Sequence, residues 1–294
     1  MVNLHIDEAG VSRDISPNDL MLDRVSGERA YYATGRVAIG CIVDSLHGAS
    51  KPTTEVRRVL DLPSGHGRVL RYLKVVFPQA DITACDLLRD GVDFCASTFG
   101  AVPVYSNADP GRIPLEPNAF DLIWVGSLFT HLDSDLWTNF LNGFRSWLRA
   151  GGLLVFSTHG RQAYRDMKIY TRDFGISYWR RTSILYTYER TGFGYAAYVD
   201  SDSYGISLSH PTWVITQVAK VPELRLVHFA EKSWGFQDIF ACIRDPDWQS
   251  EPHYAPPLTY LKHRVLDALN PRLAAILVAL RFGLVRWLRR RRPE

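Results

Sequence analysis

Arg58-Val59-Leu60-Asp61-Leu62-Pro63-Ser64-Gly65-His66-Gly67-Arg68-Val69-Leu70-Arg71-Tyr72-Leu73 decides how this chain is read. An apolar strand runs into a tight loop with two glycines and then into an amphipathic helix. Backbone amides at a helix N-terminus, freed from side-chain bulk by glycine, let a ligand approach closely. Asp61, at the strand's end, adds a carboxylate facing the same loop. Amides and an acid presented together suit a zwitterion better than a pyrophosphate, and the methionine moiety of S-adenosylmethionine (SAM) is such a ligand.

Further signals follow in order. Ile82-Thr83-Ala84-Cys85-Asp86-Leu87 reads as a second strand ending in an acid, about twenty residues after the glycine loop. Val102-Pro103-Val104-Tyr105 is a third apolar run, followed by Ala108 and Asp109. Phe120-Asp121-Leu122-Ile123-Trp124-Val125 and Gly152-Leu153-Leu154-Val155-Phe156-Ser157 read as a fourth and a fifth strand. Strands alternating with helices imply a parallel sheet with right-handed crossovers, and ligands on such sheets sit beyond the carboxyl ends of the strands. The residues singled out fall at those ends.

This sequence of motifs resembles the class I SAM-dependent methyltransferases, well over about residues 55 to 160 and loosely over 211 to 245. The resemblance implies an α/β Rossmann-like sandwich: a mostly parallel seven-stranded sheet with helices on both faces. It implies SAM as the cofactor, held by Asp61, Pro63, Ser64, Gly65, His66 and Gly67 in the first motif. Asp86, with Leu87, takes the position of the acid that holds the ribose hydroxyls. Ala108 and Asp109 take the adenine position, and Ser127 and Leu128 lie after strand four. Pro63 departs from the family pattern, where a glycine is usual. A dinucleotide fingerprint starting at Gly65 would need glycine at position 70, which is Leu70.

The chain divides into three expected segments. Residues 1–54 form a helical extension over the cofactor, with Tyr31 or Tyr32 as a cover for the sulfonium side or as packing residues. Residues 55–245 form the core, with 160–210 as an aromatic-rich substrate lid. There Gly192-Phe193-Gly194-Tyr195 and Tyr204-Gly205-Ile206-Ser207 suggest a hairpin, and Tyr195, Tyr204 and His210 are candidate substrate contacts. Ser209-His210-Pro211 also reads as a helix start, with proline at the first helical position. Residues 246–294 form a basic C-terminal helical tail.

Transfer of a methyl group is an in-line displacement, so alignment dominates the task, and a hydroxyl acceptor gains from a nearby base. His159, after strand five, is the favoured base, and His131, after strand four, the second candidate. The Asp/Asn-Pro-Pro-aromatic clamp of base-modifying amino-methyltransferases is replaced by Gly126-Ser127-Leu128-Phe129. Paired glutamates and metal-binding carboxylates are not evident. These absences leave an O-methyltransferase, with an N- or C-methyltransferase as the lesser alternative, acting on a small molecule or glycan without a metal.

Composition agrees with one sizeable core: 294 residues, 46% of them hydrophobic. The four cysteines are scattered and read as reduced, and the N-terminus lacks the pattern of a signal peptide, so a cytoplasmic protein is expected. The net charge of +3 divides into +7 from residue 258 onward and −4 on the rest. The body therefore offers no footprint for nucleic acid. The tail leaves open contact with the inner membrane face or with an oligomeric partner. An RNA methyltransferase using the tail and a non-catalytic SAM-binding partner protein remain the alternatives.

Overall fold

Alternation along the central strands sets the two layers of this protein. In the computed structural model, which describes residues 6–22, 25–172, 174–199 and 204–248, the core begins with β1 (Arg58–Asp61) and β2 (Asp81–Asp86). It continues with β3 (Val102–Tyr105), β4 (Phe120–Val125) and β5 (Leu148–Thr158). All pair in parallel. The sheet order is β3-β2-β1-β4-β5-β9-β8, where β8 (Leu224–Trp234) and β9 (Gln237–Arg244) form an antiparallel edge.

Val59, Leu122, Trp124, Val155 and Ala241 point to one face, and Leu60, Ile123, Val125, Phe156 and Phe240 to the other. Strands buried on both sides must be apolar in both phases, which is why their sequences read as continuous runs. The first face is covered by α1 (Gly27–Gly48), α2 (Leu70–Val76) and α3 (Arg89–Phe99). The second is covered by α4 (Ser134–Trp147) and by α7 (Pro211–Ala219). Trp137, Phe144 and Phe156 are wholly buried there. Each such side chain contributes roughly 1.5–3 kcal/mol by leaving water.

The helix expected before residue 54 forms as α1, and much of its length is built into the core. Ala38, Ile39, Ile42 and Leu46 are buried against the sheet, so α1 is a wall of the core. The glycine loop is met both by the segment before α1, through Asp19, and by α1 itself, through Tyr31 and Gly35.

The stretch 160–210 contains α5 (Arg161–Lys168) and α6 (Tyr178–Thr191), then the antiparallel pair β6 (Phe193–Ala197) and β7 (Gly205–Ser209). The anticipated hairpin is present; its connecting residues 200–203 lie outside the described residues. The two helices were not anticipated, because their apolar positions form the small satellite core of Ala163, Met167, Ile184 and Tyr188 rather than a long stripe. The C-terminal helical tail and the contacts expected of it fall on residues 249–294, also outside the described residues. Among the described residues no helix is long and apolar enough to cross a membrane.

Candidate functional site

The glycine loop leaves β1 at Asp61 and turns across the end of β2. Gly65 (φ +52°) and Gly67 (φ +79°) both occupy the left-handed region. A Cβ on Gly67 would lie 2.5 Å from the Phe99 ring, whereas one on Gly65 would meet nothing within 4 Å. Gly67 therefore serves packing against α3, and Gly65 leaves the space beside its backbone open. Ser64 N–H donates to the Cys85 carbonyl at 3.0 Å, which ties the loop to β2.

Asp86 organises this end of the sheet. Its Oδ2 accepts from Gly65 N–H at 2.7 Å and its Oδ1 from Leu88 N–H at 2.9 Å. Burial holds its carboxyl above the usual carboxylate range. Asp61 is fully buried, and its Oδ2 has no hydrogen-bond partner among the described residues. Burial, reinforced by the Asp86 charge, pushes its carboxyl well up. A buried acceptor left without a donor is costly unless a ligand or water completes it. An orphaned acid beside a glycine loop that a Cβ would not fill fits the cationic, amine-bearing end of SAM.

Other expected cofactor residues have mixed placements. His66 is buried, with Nε2 3.1 Å from Asp90 Oδ2 and Nδ1 3.9 Å from Asp19 Oδ1. Asp19 comes from the N-terminal segment and accepts from the Tyr31 hydroxyl at 2.6 Å. Tyr31 in turn accepts from Arg71 Nη2 at 3.2 Å, and both Arg68 and Arg71 lie over its ring. Tyr31 is thus enclosed and its hydroxyl committed; of the two readings, its contacts are those of a packing residue that braces the loop. Leu87 is exposed at the tip of β2. Asp109 is exposed as well and caps a short 3-10 turn, its Oδ1 accepting from Gly111 N–H at 2.9 Å. Ala108 precedes it on the same exposed loop. The peptide between Leu62 and Pro63 is cis.

The loop after β4 is pinned at several points. Ser127 (φ +61°) donates its N–H to Ser157 Oγ at 2.8 Å, and its own hydroxyl meets Gln237. Leu128 C=O accepts from His131 N–H at 2.9 Å. Trp137 Nε1 donates to the Phe129 carbonyl at 3.0 Å, fastening the loop to α4.

Strand β7 then extends over the ends of β4 and β5. Gly205 N–H donates to the His131 carbonyl (3.0 Å), Ser207 N–H to Thr130 (2.8 Å) and Ser209 N–H to His159 (2.9 Å). The same strand receives both imidazoles. His131 Nδ1 lies 2.7 Å from the Gly205 carbonyl, and His159 Nδ1 lies 3.1 Å from the Ser207 carbonyl. A carbonyl only accepts, so each Nδ1 carries the proton and each Nε2 keeps a lone pair. Neither Nε2 has a partner among the described residues. The two rings are 6.4 Å apart.

Their surroundings differ. His159 is enclosed, stacked on Phe236 at 5.1 Å and edge-on to Phe174 at 5.7 Å. Burial, helped by the proximity of His131, pushes its imidazole down to about 3. His131 is half-buried and stacked on Tyr204 at 4.7 Å, with the Tyr198 hydroxyl 3.3 Å from its Nδ1. Burial lowers its pKa too. Tyr204 feels Asp86 electrostatically, and burial pushes its phenol up to about 12, so this ring links the β2 end to the histidine pair. The Tyr195 hydroxyl is buried with no partner among the described residues.

His210, a candidate substrate contact that also reads as a helix start, caps α7: Nδ1 accepts from the Thr212 amide (3.3 Å) and hydroxyl (2.8 Å). An N-cap position ahead of proline recruits a side-chain acceptor, and here the imidazole supplies it. Sequence reasoning missed Phe174, Phe236 and the carbonyls of Gly205 and Ser207. A backbone carbonyl has no residue signature, and the two phenylalanines come from distant loops. Among the described residues no group of three or more potential ligands is placed to hold a metal.

Residues 59–152 match the family described as Methyltransferase domain. A malonyl-acyl-carrier-protein O-methyltransferase of Halalkalibacterium halodurans is 28% identical over 169 residues, 56% of this chain and 60% of the relative. One from Laribacter hongkongensis is 29% identical over 121 residues, 38% of this chain and 40% of the relative. The chain thus spans less than two thirds of the length of either. A SAM-dependent methyltransferase structure from Clostridium acetobutylicum shares the fold, with TM-score 0.50 and 14% identity over 71% of this chain and 92% of that one.

Proposed function

We propose, for a chain that belongs to the class I SAM-dependent methyltransferases, that it methylates a hydroxyl oxygen of a small molecule, with His131 as the base. When bound, SAM supplies a methyl carbon made electrophilic by the sulfonium. Asp61 and the uncrowded backbone at Gly65 would hold its amino-acid end, and Asp86 its ribose. His131 Nε2 would take the acceptor's proton as the new oxygen–carbon bond forms, a contribution of typically 10²–10⁴-fold.

The observation that carries this reading is the pair of Nδ1–H bonds to β7. They leave a neutral imidazole with a free lone pair at the end of each central strand. His131 has the better claim to the proton, reversing the preference drawn from sequence. His159 is walled in by Phe174 and Phe236, and an imidazole held near 3 is a feeble proton acceptor. Its contacts suit a positioning role. Tyr195, Tyr198 and Tyr204 would line the acceptor's path.

A carboxylate acceptor is the second reading. The named relatives act, by their names, on a malonyl group, whose O-methylation needs no base. The Arg172 guanidinium favours it, lying 3.9 Å over the Phe236 ring beside the histidine pair. That cation is already paired with Asp166 at 3.6 Å, and the groups closest to His131 are neutral rings.

Incubation with methyl-labelled SAM and fractionated metabolite pools tests the proposal. A labelled product that resists mild alkali but releases methyl iodide with hydriodic acid is a methyl ether and supports it. Release of labelled methanol by alkali marks an ester and selects the second reading. Absence of any labelled product, with SAM bound, would overturn both.

A further inference from the structure

The corner between α5 and α6 carries an exposed apolar group that the chemistry above does not use. Ile169 is 66% exposed, Tyr170 58%, Tyr178 59% and Trp179 78%, all within eleven residues. Tyr178 and Trp179 pack edge to face at 5.4 Å. The corner is braced from inside. Arg181 is buried, lies 4.1 Å from the Tyr170 ring centre and donates to the carbonyls of Met167 and Arg172 at 3.3 and 3.5 Å. A buried arginine holding two carbonyls fixes this backbone with its aromatic rings outward. Exposed clusters of this kind on soluble proteins mark interaction surfaces.

The charge around the corner is one-sided. Residues 161–190 hold seven arginines and lysines against three carboxylates. Arg165, Lys168 and Arg172 are exposed on the same corner, Lys168 in a surface ion pair with Glu189 at 2.8 Å and Arg172 in one with Asp166 at 3.6 Å. Trp and Tyr with an apolar body and a polar tip favour the headgroup layer of a bilayer, and flanking cations favour anionic lipid. Side chains exposed to this degree belong to a convex tip. A convex tip enters a headgroup layer without the matching cavity that a protein partner would have to provide.

We infer that the α5–α6 corner docks on an anionic lipid surface through Trp179, Tyr178, Tyr170 and Ile169, with Arg165, Lys168 and Arg172 meeting the headgroups. The corner adjoins the histidine pocket, because Arg172 lies over Phe236, which stacks on His159. Docking there would bring that pocket to the membrane surface. Only this last consequence rests on the proposed acceptor site.

The test uses the full chain and vesicles of phosphatidylcholine with or without phosphatidylglycerol. Cys41, Cys85, Cys95 and Cys242 are all buried, so an environment-sensitive dye on Trp179→Cys reports this corner alone. The dye should shift to the blue with the anionic vesicles, and the shift should fade as salt rises. The double variant Tyr178→Ser/Trp179→Ser should lose about tenfold in vesicle partitioning while its SAM affinity, measured by calorimetry, stays unchanged. No shift on vesicle binding, undiminished partitioning of the double variant, or capture by an acidic protein in place of vesicles would each overturn the inference. Loss of methyl transfer with vesicle binding intact would count against the acceptor reading instead.

Discussion

His131 donates its Nδ1 proton to the carbonyl of Gly205 at 2.7 Å, so the residue after β4 takes its tautomer from a strand more than seventy residues away. The same strand fixes His159 through Ser207. Replacing His131 by asparagine should lower kcat by about 10²–10⁴-fold and leave SAM affinity unchanged by calorimetry. Because burial lowers the pKa of His131, the base stays neutral as the pH drops somewhat below 6.5, and kcat/KM should hold its plateau there before falling with further acid. A rate that falls from well above pH 7 would show a different base.

His159 should govern stability more than rate. Its folded pKa is depressed to about 3, whereas the unfolded chain protonates near 6.5. Between those values the unfolded state binds more protons, so folding weakens as pH falls, by up to about 1.4 kcal/mol per unit. His159→Gln lacks this dependence. The stability gap between wild type and variant, measured by denaturant unfolding, should therefore narrow from pH 6.5 toward pH 3. A constant gap would place the imidazole in water.

Asp86→Ala removes the carboxylate that gathers the Gly65 and Leu88 amides. Charge-assisted hydrogen bonds contribute roughly 1.5–3 kcal/mol each. SAM binding should weaken by at least about 100-fold by calorimetry. Retained affinity would remove Asp86 from the ribose position.

Gly67→Ala combines a positive φ with a Cβ 2.5 Å from the Phe99 ring. We expect a loss of about 2 kcal/mol or more in stability, read from denaturant unfolding, together with weaker SAM binding. Gly65→Ala, open around its Cβ, carries only the conformational cost and should destabilise less.

Asp238 is wholly buried, with Oδ2 unpartnered among the described residues, and burial pushes its carboxyl up to about 6. A raised carboxylate pKa means the folded state holds its proton longer, so this group's contribution falls as pH rises from about 4 through 6. Asp238→Asn escapes that penalty. It should melt higher than wild type at pH 7.5, with the advantage shrinking toward pH 4. A lower Tm at both pH values would indicate that the carboxylate has a charged partner.

The order of strands, the glycine loop and the acids at Asp61 and Asp86 were legible in the chain, because each is written locally. Apolar runs, glycines at tight turns and acids at strand ends are set by neighbours a few residues apart. The hairpin around Tyr195 and Tyr204 was legible for the same reason. The ranking of the histidines was not. His131 and His159 follow similar strands in similar settings. Only the packing of Phe174 and Phe236 on one ring and the half-open stack of Tyr204 on the other tells them apart. His210 could be read as a cap or as a substrate contact from its sequence, and the structure shows the cap through Thr212. Local chemistry, then, determined the fold and the glycine loop. Burial and tautomer depend on atoms brought from β7 and from distant loops, and those were decided only when the chain closed on itself.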